Sequence, residues 1–299
     1  MTTQQRLAWI GLGKLGLPTA ARLVGAGHPL TGFDLDPARL EAARDRQIPV
    51  AADASEAIAG AGAVLTSLPH DGALIGALTG DDGLLARMAP GAILVETSTV
   101  SAEASARVEK AATARGIAYL RAPVSGNPVL AERGELTVLA SGPRDAFERL
   151  RPALTAISKA QYYLGEAEQA RYAKLAINLM IAVSAGMMAE ALTLARKGGV
   201  DPGQMLDLMA NSAVGSPMVN YKTPPLKAGD YTSTFSCRQM AKDLDLILAA
   251  ARGADMPAPL AAQLRETYSA LIAAGDGDAD FIATVRHAAR SAGLPDAAA

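Results

Sequence analysis

A single cysteine, Cys237, in 299 residues rules out an internal disulfide, and that scarcity suits a reducing compartment. No histidine lies near it in the sequence, so it reads as a small buried residue and not as a nucleophile. Histidine is almost as scarce: His28, His70 and His287 share no metal-ligand spacing, and no metal is expected. Neither sign of charge dominates, with 28 Lys and Arg against 30 Asp and Glu and no run of one sign. That balance argues against a nucleic-acid partner. The longest apolar run, Leu175 to Ala189, is interrupted by Asn178 and is shorter than the roughly 18 to 20 residues a membrane span needs. MTTQQRLAWIGLG enters a strand-like segment without a basic-then-apolar leader, so no signal peptide is expected. These absences together predict a soluble, cytoplasmic protein with no membrane partner.

What is present is apolar: half of the residues are hydrophobic, enough to bury the cores of about two domains in a chain of this length. In the first half, the runs RLAWIGL, HPLTGFD, AGAVLTSLP, GAILVETS, GIAYLRAPV and ELTVLASG read as strands. Helical stretches such as LPTAARLVGAG, PARLEAARDR and AEASARVEKAATARG lie between most of them. Strands alternating with helices predict an α/β domain with a parallel, doubly wound sheet. Past Gly165 the strand signals stop. The rest of the chain reads as helices, beginning with ARYAKLAINLMIAVSAGMMAEALTLA and continuing through PGQMLDLMAN, FSCRQMAKDLDLILAAARG, PLAAQLRETYSALIAAG and ADFIATVRHAARSAG. The expected domains are therefore 1–164, α/β, and 165–299, all-α and entered by the long helix.

The first strand-to-helix turn, IGLGKLGLPTAA, sets Gly11, Gly13 and Gly16 in a G-x-G-x-x-G pattern. One glycine makes the tight turn, one lets backbone approach a pyrophosphate, and one packs helix against strand, with the phosphates at the helix N-terminus. The pattern alone is a weak signal. Here it follows a strand, opens a helix, and is followed about 20 residues on by a strand ending in an acid, Asp34, which is the confirming context. A carboxylate there suits the ribose hydroxyls of NAD and repels the 2′-phosphate of NADP, and Leu35 adds no positive charge, so NAD is expected over NADP. Asp36, directly before Pro37, fits the competing role of helix N-cap better than Asp34 does.

Several motifs occurring in order resemble the β-hydroxyacid dehydrogenase family, over nearly the whole chain. IGLGKLGLP resembles the opening cofactor motif, which implies cofactor contacts from Gly11, Leu12, Gly13, Lys14, Leu15 and Gly16; Leu15 stands where methionine is commoner. SLPH resembles the second cofactor loop, with Leu68 and Pro69, and ETSTVS the segment whose threonine, Thr99, lies by the nicotinamide. RAPVSGN resembles the substrate motif, which implies that Ser125, Gly126 and Asn127 grip a carboxylate, although Asn127 replaces the usual second glycine. KLAIN resembles the catalytic motif, which implies Lys174 as catalytic residue and Asn178 as its substrate-orienting partner. Ile177 replaces a common polar group, and GEAEQARYA replaces the glycine-rich lead-in. MAKDLDL resembles the late motif whose lysine, Lys242, reaches the cofactor. The fold implied is an N-terminal Rossmann domain with an all-α C-terminal domain. The activity implied is hydride transfer between a small 3-hydroxy acid, 3-hydroxyisobutyrate-like, and NAD.

Physical chemistry gives part of this independently. Lys174 and Asn178 are spaced i, i+4 and share a helix face. A lysine among Ala, Leu, Ile and Met either snorkels to water along its apolar stem or is desolvated, which pushes its pKa down toward general acid–base work. Spacing alone leaves Ser125 and Asn127 as ordinary turn residues. The motif order favours the site reading for all of them. Other readings stay open: semialdehyde reduction, which is the same chemistry reversed; an imine reductase on the same fold, against which Lys174 argues; and a dinucleotide-binding module without turnover. The long helix carries more apolar positions than one domain should bury, so a homo-oligomer, dimer or tetramer, is expected.

Overall fold

The computed structural model describes residues 5–295 and divides the chain into two compact units, which meet between Lys174 and Leu175. The first four residues, part of the segment read above for a leader, and most of the tail LPDAAA lie outside the described residues.

Unit 1 opens with β1 (Leu7–Ile10), α1 (Gly16–Gly25), β2 (Leu30–Phe33), α2 (Pro37–Asp45), α3 (Ala54–Ile58), β3 (Ala63–Thr66), α4 (Asp71–Leu78) and β4 (Ile93–Glu96). It continues with α5 (Ala102–Thr113), β5 (Ala118–Arg121), β6 (Val124–Ser125), α6 (Pro128–Arg133), β7 (Leu136–Ala140), α7 (Arg144–Ile157) and β8 (Ser158–Tyr163). Five strands form a parallel sheet in the order β2-β1-β3-β4-β5. β1, β3 and β4 are buried at every position, as expected when helices cover both faces. Alternation decides which core each residue joins: Leu7, Trp9, Leu65, Val95 and Leu120 pack on one face, and Ala8, Ile10, Val64, Leu94 and Tyr119 on the other. The strand order reverses at β1, and open α/β sheets bind ligands at the carboxyl ends of strands beside such a switch point.

A second sheet, β6-β7-β8, was not anticipated as a separate layer. It is mixed, with β6 antiparallel and β8 parallel to β7, so the doubly wound parallel sheet is the larger of two.

The long helix α8 (Gln169–Lys197) runs through the division of the chain. Unit 2 adds α9 (Pro202–Asn211), α10 (Pro217–Lys227), α11 (Cys237–Gly253), α12 (Pro259–Ala273) and α13 (Thr284–Ser291), and no strand is assigned after Tyr163 among the described residues. By length and composition alone α8 is apolar enough to cross a membrane, contrary to the reading of its apolar run as too short. Its row Ala182, Ala185, Met188, Ala189 and Leu192 is instead part of the core of unit 2, with Met240, Leu244, Ile247 and Tyr268.

Candidate active site

In unit 1 the segments after β1, β2, β3 and β4 carry the expected cofactor residues other than Lys242, which lies on α11 of unit 2. Gly11 adopts φ +97°, and a Cβ there would strike the Ser67 carbonyl oxygen. A Cβ on Gly16 would strike the Gly11 carbonyl oxygen. Both positions therefore need glycine, as a close backbone turn requires. Trp9 Nε1 donates to Gly11 O at 2.9 Å, pinning the turn from below. Leu15 caps α1 without any side-chain hydrogen bond, which leaves the helix N-terminus suited to an anion. The cradle therefore fits the pyrophosphate of a nicotinamide dinucleotide.

Asp34, nearly buried at the end of β2, accepts from Leu12 N at 2.7 Å and from Asp36 N at 2.9 Å. Its carboxylate thus ties the glycine turn to the second strand, and because Arg39 Nη1 also donates to Oδ2, one acceptor position, on Oδ1, remains for a ribose hydroxyl. Asp36, as anticipated, is the N-cap of α2 and accepts from Ala38 N. Arg39 lies 3.2 Å from Asp34 Oδ2 and 3.6 Å from Asp36 Oδ2. It sets a positive charge against the carboxylate expected to meet the ribose, beside the apolar Leu35.

The loops after β3 and β4 are laced together. Leu68 N donates to Ser98 Oγ at 2.7 Å, and Thr97 Oγ1 to Thr66 O at 2.7 Å. Leu68 is half-buried and Pro69 exposed, and His70 then caps α4 by accepting Ala73 N on Nδ1. Thr99 is half-buried, next to Ser98. Under this loop sits a buried charge network that no sequence motif announced. Glu96 accepts Ser98 N on one oxygen at 2.5 Å and pairs with Arg171 Nη2 through the other. Arg171 Nη1 donates to Ser98 O at 2.7 Å, and Nη2 to the Tyr119 hydroxyl at 3.0 Å. Burial opposes the charge on Arg171, but Glu96, followed by Tyr119, more than offsets it and raises the guanidinium pKa.

Ser125 ends β6, opposite Thr137 of β7. Gly126 follows at φ +144°, where a Cβ would lie 2.6 Å from Leu136 Cδ2. Asn127 is the N-cap of α6, its Oδ1 accepting Leu130 N at 3.0 Å ahead of Pro128. The turn role is the one observed, and it is compatible with the expected site role: capping occupies the carbonyl oxygen and leaves Nδ2 as the group that can donate to a ligand.

On α8, Lys174 and Asn178 are polar side chains left 9% and 5% exposed, one helical turn apart. In unit 2, Asn178 Nδ2 donates to Asp243 Oδ2 at 2.5 Å, and Lys242 Nζ lies 2.9 Å from Asp243 Oδ1. Asp243, which is 1% exposed, thus joins two residues that the sequence had placed in separate motifs. The resemblance of MAKDLDL to a lysine-aspartate motif gave a role to Lys242 and none to Asp243; the place of Asp243 on the buried face of α11 was the available signal. Cys237 is fully buried, and burial, with Asp276 and Asp280, pushes its thiol up to about 12, so it stays protonated and unreactive.

A glycine turn, a strand-end carboxylate and laced loops at the carboxyl ends of parallel strands, followed by a helical unit, define a nicotinamide-dinucleotide-binding oxidoreductase. Residues 6–165 match the family described as the NAD binding domain of 6-phosphogluconate dehydrogenase. Residues 169–288 match that described as NAD-binding of NADP-dependent 3-hydroxyisobutyrate dehydrogenase. The chain is 34% identical to 3-hydroxyisobutyrate dehydrogenase of Pseudomonas aeruginosa, over 88% of this chain and 91% of that one. It is 32% identical to the NAD-dependent L-serine dehydrogenase of the same organism, over 93% and 95%. A solved 3-hydroxyisobutyrate dehydrogenase from Salmonella typhimurium shares its fold at TM-score 0.87 and 29% identity, covering 95% of this chain and 99% of that one. The chain belongs to the β-hydroxyacid dehydrogenase family, the NAD(P)-dependent enzymes that act on the CH-OH group of hydroxy acids.

Proposed function

We propose that the protein oxidises a small 3-hydroxy acid with NAD and that Lys174 carries the hydroxyl proton. The observation that carries the reading is the pair Lys174 and Asn178, buried polar groups one turn apart on a largely apolar helix. Asn178 gives one of its two amide hydrogens to Asp243, so its carbonyl oxygen and its second amide hydrogen are the groups left to orient a substrate hydroxyl. Ser125, Gly126 and Asn127 hold the substrate carboxylate, with Asn127 Nδ2 as a donor. When bound, the nicotinamide supplies the hydride acceptor. Lys174 Nζ takes the proton that leaves the hydroxyl oxygen, and in the reverse direction returns it to the carbonyl of a semialdehyde. Leu68, Pro69, Thr99 and Lys242 complete the cofactor contacts.

NAD is preferred over NADP because the carboxylate of Asp34, held against the glycine turn that takes the pyrophosphate, accepts a ribose hydroxyl and repels a 2′-phosphate. The assembly is a homo-oligomer: Ile177, Met180, Met187 and Leu194, at 40%, 66%, 57% and 75% exposure, are separated by one turn and then by whole heptads, so they form one apolar stripe along α8 of the kind that pairs helices. A cytoplasmic location fits the lone buried cysteine.

The test is a panel of 3-hydroxy acids and 3-hydroxy amino acids, including 3-hydroxyisobutyrate and L-serine, offered with NAD and with NADP. Reduced cofactor is followed by absorbance. Turnover of a 3-hydroxy acid with NAD supports the reading, and reduction of neither cofactor by any member of the panel refutes it.

A further inference from the structure

The lead-in to the proposed catalytic lysine, GEAEQARYA, contains an arginine three residues before Lys174, and Arg171 is 1% exposed. An arginine is a costly group to bury, and it persists only where its donors find partners. The partners of Arg171 are specific. One donor goes to the carbonyl oxygen of Ser98, and another to Glu96 and the Tyr119 hydroxyl. Glu96 in turn accepts the Ser98 N–H. The ion pair therefore holds both backbone polar groups of the residue just before Thr99, while the Ser98 hydroxyl accepts Leu68 N from the other cofactor loop. A second arginine anchors the same stretch of chain: Arg121 Nε donates to Glu168 Oε1 at 2.7 Å and to Ser105 Oγ at 3.0 Å, and Nη2 to Glu109 Oε2 at 2.6 Å. Glu168 directly precedes α8, and its carbonyl accepts Arg171 N and Tyr172 N.

We propose that the Arg171–Glu96 pair is a positioning strut that fixes the Ser98–Thr99 backbone to the first turn of α8, and so sets the nicotinamide contact against Lys174. This rests on the reading of Thr99 and Lys174 given above. Neither Arg171 nor Glu96 touches substrate. They act through Ser98 on one side and through the helix on the other, a chain of rigid links in which a shift of about 1 Å is enough to cost roughly a hundredfold in rate.

The test uses the full chain with Arg171→Met, Arg171→Lys and Glu96→Gln. Three quantities are measured for each: the dissociation constant of NADH, that of ADP-ribose, which lacks the nicotinamide, and turnover per NADH-binding site. The strut predicts that ADP-ribose affinity stays within about twofold, because Gly11 to Gly16 and Asp34 are untouched. NADH affinity should fall by about fivefold relative to it, the worth of one net hydrogen bond. Turnover per NADH-binding site should fall about ten- to hundredfold in Arg171→Met, with partial recovery in Arg171→Lys, which keeps the charge but loses the planar fork. A merely stabilising pair would lower the melting temperature and the number of binding sites but leave turnover per site and the NADH to ADP-ribose ratio at parental values, and that result overturns the proposal. If Arg171→Met does not fold, Arg171→Lys and Glu96→Gln decide by the same ratio. A parent that binds NADH but oxidises no hydroxy acid would refute the proposed activity, and the binding ratio would still judge the strut.

Discussion

Replacing Asp243 with alanine isolates the residue that joins the two polar groups of the helical unit. Asp243 is 1% exposed and accepts Asn178 Nδ2 at 2.5 Å, with Lys242 Nζ at 2.9 Å from its other oxygen. A hydrogen bond to a charged partner is worth about 1.5–3 kcal/mol. If that energy holds the Asn178 amide in the orientation the transition state uses, its loss appears in kcat, where each 1.4 kcal/mol is about tenfold. Asp243→Ala should therefore lower kcat about ten- to hundredfold. Leaving a buried amide unmatched should also lower the melting temperature by roughly 2–6 °C. Asp243→Asn keeps the shape and an acceptor, so its loss should be smaller, about three- to tenfold, with most of the melting temperature restored. The assay is steady-state turnover on whichever substrate the panel identifies, beside a thermal melt. An Asp243→Ala protein with a lowered melting temperature but kcat within about threefold of the parent would show that Asp243 braces the fold and does not orient Asn178.

Other parts of the site give further expected outcomes. Asp34→Ser should narrow the preference for NAD, and Arg39→Ala should weaken NADP more than NAD; a parent that uses NADP better would reverse the roles given to the two residues. Asn127→Gly should reorder substrates in the panel while costing the α6 cap only a few tenths of a kcal/mol, about the usual loss for glycine at an N-cap; an equal loss on every substrate would mark Asn127 as a turn residue alone. Met180→Glu with Met187→Glu should shift the light-scattering mass of the protein downward, since each places a charge on the exposed apolar row of α8. A monomeric parent at micromolar concentration would remove the seam.

The alternation of buried strands with helices made the five-stranded sheet legible, because its central strands β1, β3 and β4 are buried at every position and each carries a run of at least three apolar residues between turn signals, as strands covered on both faces do. β8 escaped notice: SKAQYY mixes Lys159 and Gln161 with aromatics, as the edge strand of a small sheet can, and its pairing with β7 is visible only in three dimensions. α10 was missed because Pro224 and Pro225 lie inside it and argue against a helix at the level of propensity. α6 hid in a loop whose Gly126, Asn127 and Pro128 all signal a turn, and Asn127 is in fact its cap. At the site, the residues that could be read were those with a spacing signature: the glycines, Asp34, and Lys174 with Asn178. Arg171, Glu96 and Asp243 could not be read this way, because their partners lie 75 positions apart in one case and 65 in the other. Only the fold brings such pairs together.

The central claim, that Lys174 carries the proton in hydroxy acid oxidation, is tested most directly by Lys174→Met, assayed for turnover and for NADH binding in the same preparation. Methionine keeps the length and apolar character of the stem and suits a helix, so the variant should fold and bind NADH within about twofold of the parent, while removal of a general acid–base group should cost about a hundred- to ten-thousandfold in kcat. Lys174→Arg should not restore activity, because guanidinium does not release its proton near neutral pH. Near-parental turnover in Lys174→Met, with NADH binding intact, would contradict the account and leave Lys174 as a lysine that merely lies along its helix.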